Sequence, residues 1–173
     1  PIGRRALRAF RSEDGTGEDG LAWLWLASIA AADLWDDESW HVLSTRHVRI
    51  ARETGALSEL PLALNSRIVL RLFAGEMTAA AALVEEATAV IQATGSDLAP
   101  YGALALAAWQ GREERARELI DTTVADVVRR GEGVGLTVAQ WTNALLLNGL
   151  SRYQEALVAA QQASEYPQEL GAA

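Results

Sequence analysis

Along most of the chain apolar residues recur at intervals of three and four, and no stretch alternates convincingly with period two, so the pattern predicts helices and no sheet. Eight helices are expected in four antiparallel pairs: 21–35 with 38–54, 58–74 with 76–93, 97–109 with 112–130, and 135–148 with 151–165. A further short helix at 3–11 would end a preceding repeat. The acidic, glycine-bearing stretch Ser12–Gly20 cannot bury apolar surface and reads as a loop. Residues 1–20 are therefore set apart from a helical-repeat domain over 21–173.

The punctuation agrees with this division. Glycine disfavours a helix interior by about 1 kcal/mol and is favoured just past a helix end, and Gly55, Gly75, Gly95, Gly111 and Gly131 all stand at expected ends. Ser58 with Pro61, and Ser96-Asp97 with Pro100, read as helix starts, where a short polar side chain caps free amides and proline costs little. Pro167 would stop the last helix. The run Asp36-Asp37-Glu38 puts negative charge at a helix amino terminus, which favours it by about 0.3–1 kcal/mol.

The pairs also resemble one another. Gly75-Glu76-Met77-Thr78-Ala79-Ala80, Gly111-Arg112-Glu113-Glu114-Arg115-Ala116 and Ser151-Arg152-Tyr153-Gln154-Glu155-Ala156 share a small residue at a turn and an alanine five places later. Their spacings, roughly 36 and 40 residues, fall in the range of stacked helical repeats. A fainter first copy is expected to turn at Glu38-Ser39-Trp40. Two helices that fold back within a few residues need small side chains where they cross, and one pair cannot cover its own apolar stripe, so neighbouring pairs must stack.

The last copy, Leu150-Ser151-Arg152-Tyr153-Gln154-Glu155-Ala156-Leu157 followed by Ala163 and Pro167, resembles the second half of a tetratricopeptide repeat, with Ser151 in place of the usual glycine. That resemblance implies an all-α, tetratricopeptide-like, right-handed superhelical solenoid of about four antiparallel helix pairs. A second resemblance spans nearly the whole chain. Trp23-Leu24-Trp25-Leu26-Ala27, Asp33-Leu34-Trp35-Asp36-Asp37-Glu38-Ser39-Trp40, Arg46-His47-Val48-Arg49-Ile50-Ala51-Arg52, Phe73-Ala74-Gly75-Glu76 and Asn148-Gly149-Leu150-Ser151-Arg152-Tyr153 resemble the helical-repeat region of large LuxR-family ATPase regulators of actinobacteria. In such proteins, similar in plan to the maltose regulator MalT, an ATPase domain precedes the repeats and a helix-turn-helix domain follows them. The resemblance implies a cytoplasmic sensing or coupling segment of a transcriptional regulator, cut from a longer chain. A free-standing adaptor that joins two proteins is the alternative.

Composition narrows the chemistry. There is no cysteine and no lysine, so all 15 counted Lys and Arg positions are arginine. Disulfides, thiolate metal sites, Schiff bases and a phosphate-binding P-loop are excluded. A formal charge of −8 argues against direct nucleic-acid binding. Arg4, Arg8 and Arg11 would share one face of the first short helix, read as a solvated surface. No apolar run is long enough to span a membrane, since Asp33 interrupts Leu21–Ala32.

Catalytic and metal chemistry find no support either. His41 and His47 are the only histidines, and a six-residue separation turns them roughly 120 degrees apart on a helix, too far for a shared metal. The adjacent pairs Glu85-Glu86 and Glu113-Glu114 diverge by about 100 degrees and cannot share a proton. Gly131-Glu132-Gly133-Val134-Gly135 follows a helix and not a strand, so it reads as a flexible inter-repeat loop and not as a phosphate cradle. No catalytic residue, cofactor or metal is therefore expected.

The six tryptophans are the remaining signal. In a tetratricopeptide register the concave groove is lined by first-helix positions: Trp25, Ser28 and Trp35, then Asn65, Val69 and Phe73, then Tyr101 and Trp109, then Trp141 and Asn148. Such a groove would suit a protein or peptide, another helix or domain of the same protein, a second copy of the chain, or a small effector. The opposing expectation is that these rings fill seams between repeats and meet no ligand.

Overall fold

The computed structural model describes Leu7 and residues 20–165. Among these residues there are eight helices and no strand: α1 (Gly20–Asp33), α2 (Asp37–Glu53), α3 (Leu60–Phe73), α4 (Met77–Thr94), α5 (Tyr101–Trp109), α6 (Glu113–Arg130), α7 (Gly133–Gly149) and α8 (Tyr153–Glu165). The all-α class and the pairing of consecutive helices agree with the sequence pattern. The expected helix at 3–11, the arginine face on it, the loop before Gly20 and the stop at Pro167 lie outside the described residues, apart from Leu7 and Gly20 themselves.

The chain forms two compact units, residues 1–98 and 99–173. In the first, α1 packs on α2 and α3 on α4, while α3 also meets α2 and α1. In the second, α5 packs on α6 and α7 on α8, while α7 also meets α6 and α5. Both units thus use one scheme, in which the first helix of the later pair settles against both helices of the earlier one.

Burial follows this scheme. Helix α1 hides a single stripe, Leu21, Leu24, Ala27, Ser28 and Ala31, whereas α2 is covered by helices on two sides and buries nine residues. Leu64, Ile68 and Leu72 of α3 are fully enclosed, and each such side chain contributes about 1.5–3 kcal/mol by leaving water. In the second unit Leu104, Leu119, Ile120 and Leu146 form the corresponding core.

The reversal inside every pair is one backbone device. Trp35, Gly75, Gly111 and Ser151 each take a left-handed conformation, with φ of 50°, 76°, 64° and 61°. Each donates its N–H three residues back, to Ala32, Leu72, Ala108 and Asn148. The following residue donates five back, from Asp36 to Ala31, Glu76 to Arg71, Arg112 to Ala107 and Arg152 to Leu147. This is the Schellman closure, which satisfies the carbonyls that a helix end leaves free. The first pair therefore turns at Trp35 and not at Glu38-Ser39-Trp40, which are helical.

Five residues past each reversal stands a buried side chain. It is Ala80, Ala116 and Ala156 in three pairs, all buried, as close crossing requires. In the first pair it is Trp40, also buried, whose Nε1–H donates to Ser66 Oγ on α3 at 2.9 Å.

Several boundaries move from their expected places. Asp36 caps α2 by accepting from Ser39 N–H at 3.1 Å, with Asp37 and Glu38 in the first turn as their charge suggested. Ser58 does not cap α3; Glu59 precedes it and makes no side-chain cap. Residues 96–100 stay outside helix, and α5 starts only after Pro100. The glycine-rich stretch Gly131–Gly135 is not a loop throughout: only Gly131 is left-handed, and Gly133 already begins α7. Gly135 sits there because a Cβ would lie 2.4 Å from Val127 Cγ1 and 2.6 Å from the Tyr101 hydroxyl.

Candidate functional site

Of the candidate residues in the first unit, two, Trp35 and Phe73, are exposed aromatics stacked at the turn end of the helices. Trp35 is 72% exposed, held outward by its left-handed backbone. Its ring meets Phe73, 42% exposed, edge to face with centroids 5.7 Å apart and planes at 80°. Phe73 also contacts Trp40 edge-on at 6.0 Å, so one phenyl ring bridges an exposed and a buried indole. Phe73 lies two places before Gly75 and Trp35 is itself the left-handed residue, which brings them together although they are far apart in sequence.

The other candidates of that unit differ in exposure. Trp25, Asn65 and Val69 are half-buried, and Val69 packs against the cluster of Leu21, Leu24, Leu43 and Ile50. Ser28 is fully buried, its hydroxyl donating to the Leu24 carbonyl at 2.8 Å, so it lines no surface. The groove expected from first-helix positions is therefore interrupted at Ser28, because that position faces α1's own packing stripe.

In the second unit Tyr101 and Trp109 are half-buried, while Trp141 and Asn148 are exposed. The Tyr101 hydroxyl donates to the Glu132 carboxylate, and Glu132 is also held by Arg130 at 2.9 Å. Burial, and then the carboxylate it donates to, push the Tyr101 phenol well above its ordinary range, so it stays a neutral donor. Arg130 in turn reaches Asp126 at 3.2 Å. The result is a structural strap from the start of α5 to the α6–α7 turn.

The two histidines separate as their helical angle required: His41 is exposed and His47 completely buried. Neither ring nitrogen of His47 has a hydrogen-bond partner among the described residues. Burial lowers its pKa from 6.5 to about 4, so the imidazole is neutral. No group of three or more metal-ligating side chains occurs among the described residues, and no described helix is long and apolar enough to cross a membrane.

Comparison with family models, with curated proteins and with solved structures finds no match to the chain. What distinguishes the surface comes from its own geometry: an exposed aromatic pair in the first unit, and a half-buried cation, Arg67, whose position on α3 gave no signal in the sequence. Arg67 donates from Nη1 to Thr45 Oγ1 at 2.6 Å and lies 3.5 Å from His41 Nδ1.

Proposed function

We propose that the four pairs stack as a tetratricopeptide-like, right-handed superhelical solenoid and that the chain is a non-catalytic sensor and coupling segment. The observation that carries this reading is the Schellman reversal repeated at Trp35, Gly75, Gly111 and Ser151, together with the packing scheme common to both units. A fold that spends its sequence on repeated pairs and leaves large aromatics exposed is suited to protein–protein interaction. The segment would belong to a LuxR-family ATP-dependent transcriptional regulator, with ATP and DNA handled by other domains. For that assignment the support is the likeness of the five sequence segments named above.

The exposed Trp35 and Phe73 favour the second reading, a free-standing tetratricopeptide-type adaptor for a peptide or helix, as well as the first. The complete reading frame and the intact mass of the native polypeptide separate the two. An ATPase domain before these repeats and a helix-turn-helix domain after them are expected. A native chain lacking both would overturn the regulator assignment and leave the adaptor.

A further inference from the structure

A groove of about 360 Å³ in the first unit is lined by Thr45, Val48, Arg49, Arg52 and Glu53 of α2, Arg67 of α3 and Leu83 of α4. Its volume falls within the range of small-ligand sites. Its charges are not equivalent. Arg49 is satisfied by Glu53 at 2.9 Å, and Arg52 grips Glu86 with both Nε and Nη2, at 3.2 and 2.6 Å. Arg67 pairs with no carboxylate among the described residues.

The unused atoms on Arg67 matter. Its Nη1 is engaged by the Thr45 hydroxyl oxygen, which fixes the plane of the guanidinium, while Thr45 itself donates to the His41 carbonyl at 2.6 Å. Nε and Nη2 make no hydrogen bond within the described residues. That is the same edge with which Arg52 holds Glu86, and two parallel N–H groups at this spacing match a carboxylate or a phosphate. The guanidinium is half-buried, and burial, followed by the neighbouring charge of Arg71, disfavours its cationic form, with the charge of Glu76 opposing them in part. An anion on that edge would relieve both costs. Beside it, the half-buried Leu83 offers apolar surface, and the buried Val48 also lines the groove.

We propose that this groove binds a small organic anion, a carboxylate or phosphate monoester carried on an apolar body, with the Nε/Nη2 edge of Arg67 as its anchor. The site names a chemistry for an effector, yet it does not depend on the coupling role, since a chain that recruits no partner could still bind the anion. A pull-down and a titration therefore fail separately.

The test titrates the intact chain with phenyl phosphate by calorimetry, with inorganic phosphate as the probe lacking an apolar body. Saturable binding with a Kd of about 1 mM is expected from the size of the probe, and inorganic phosphate should bind at least about tenfold more weakly, given the apolar area it lacks. Arg67→Gln should weaken phenyl phosphate by about tenfold or more, as loss of a charged bidentate partner does, Arg67→Lys should restore part of it, and Arg112→Gln in the second unit should change nothing. Thr45→Glu, at an exposed position, supplies a carboxylate to Arg67 and should block the probe even if Arg67→Gln fails to fold. Lack of saturation, or equal binding by Thr45→Glu and the unaltered chain, overturns the proposal.

Discussion

The Trp35 ring stands edge-on to Phe73 at 5.7 Å, although Trp35 closes the first reversal and Phe73 ends the first helix of the next pair. The contact ties two reversals together on the surface and leaves most of the indole in water. Trp35→Ala is expected to cost no more than about 1.5 kcal/mol, the worth of an aromatic pair beyond its burial. Trp35→Gly also relieves the left-handed backbone, worth about 1–2 kcal/mol, and should leave stability within about 1 kcal/mol of the parent. Urea unfolding of both variants, with binding of any captured partner measured alongside, separates a surface role from a core role.

Trp40 should behave oppositely. It is buried where the other pairs carry alanine, and its N–H is spent on Ser66. Trp40→Ala should cost about 3–5 kcal/mol by leaving a cavity against α3. A loss under about 1 kcal/mol in urea unfolding would mean that the ring is not part of the core.

The reversals give a matched pair of expectations. Ser151→Gly should stabilise by up to about 1 kcal/mol, because serine there holds φ at 61°, while Gly111→Ala should destabilise by about 1–2 kcal/mol for the converse reason. Thermal unfolding reads both, and equal signs would refute the account of the turn.

Gly135→Ala should be worse than the change at Gly111, since its Cβ would enter the Val127 side chain and the Tyr101 hydroxyl. Overpacking of this kind costs about 1–3 kcal/mol. Tyr101→Phe, tested in the same unfolding experiment, removes one of the clashing atoms and should recover part of the loss.

His47 makes stability depend on pH in a defined direction. Its folded pKa, about 4, lies below the unfolded value of 6.5, so the unfolded chain takes the proton first. Its contribution is complete above pH 6.5 and is lost as pH falls toward 4, with a slope approaching about 1.4 kcal/mol per unit. Unfolding free energies measured between pH 7 and 5 should fall for the parent and stay flatter for His47→Leu. Parallel curves would exclude this histidine as the cause.

The helices and most of their ends were legible because periodicity and glycine both act locally. Gly75 and Gly111 announce their reversals, as only glycine adopts the left-handed turn without strain. Trp35 announces nothing: its conformation is imposed by the packing on either side, and no residue preference points to a tryptophan there. The start of α7 at Gly133 was hidden for a related reason, since glycine argues against helix until the close approach of Val127 and Tyr101 is known. Ser28 lies buried and not on a surface because helical spacing locates a stripe without saying which side of it is sealed. Arg67 lay beyond reach altogether, since an edge with no carboxylate partner among the described residues exists only relative to Thr45, Glu53 and Glu86 on other turns and helices.

The four reversals draw their hydrogen bonds from the main chain alone, and their left-handed position tolerates glycine, serine and even tryptophan. Their instructions are therefore written in distances along the polymer more than in its letters. Chains built this way can exchange almost every solvent-facing residue while keeping the same folds-back, so kinship among them is measured by the rhythm of reversals and not by shared spelling.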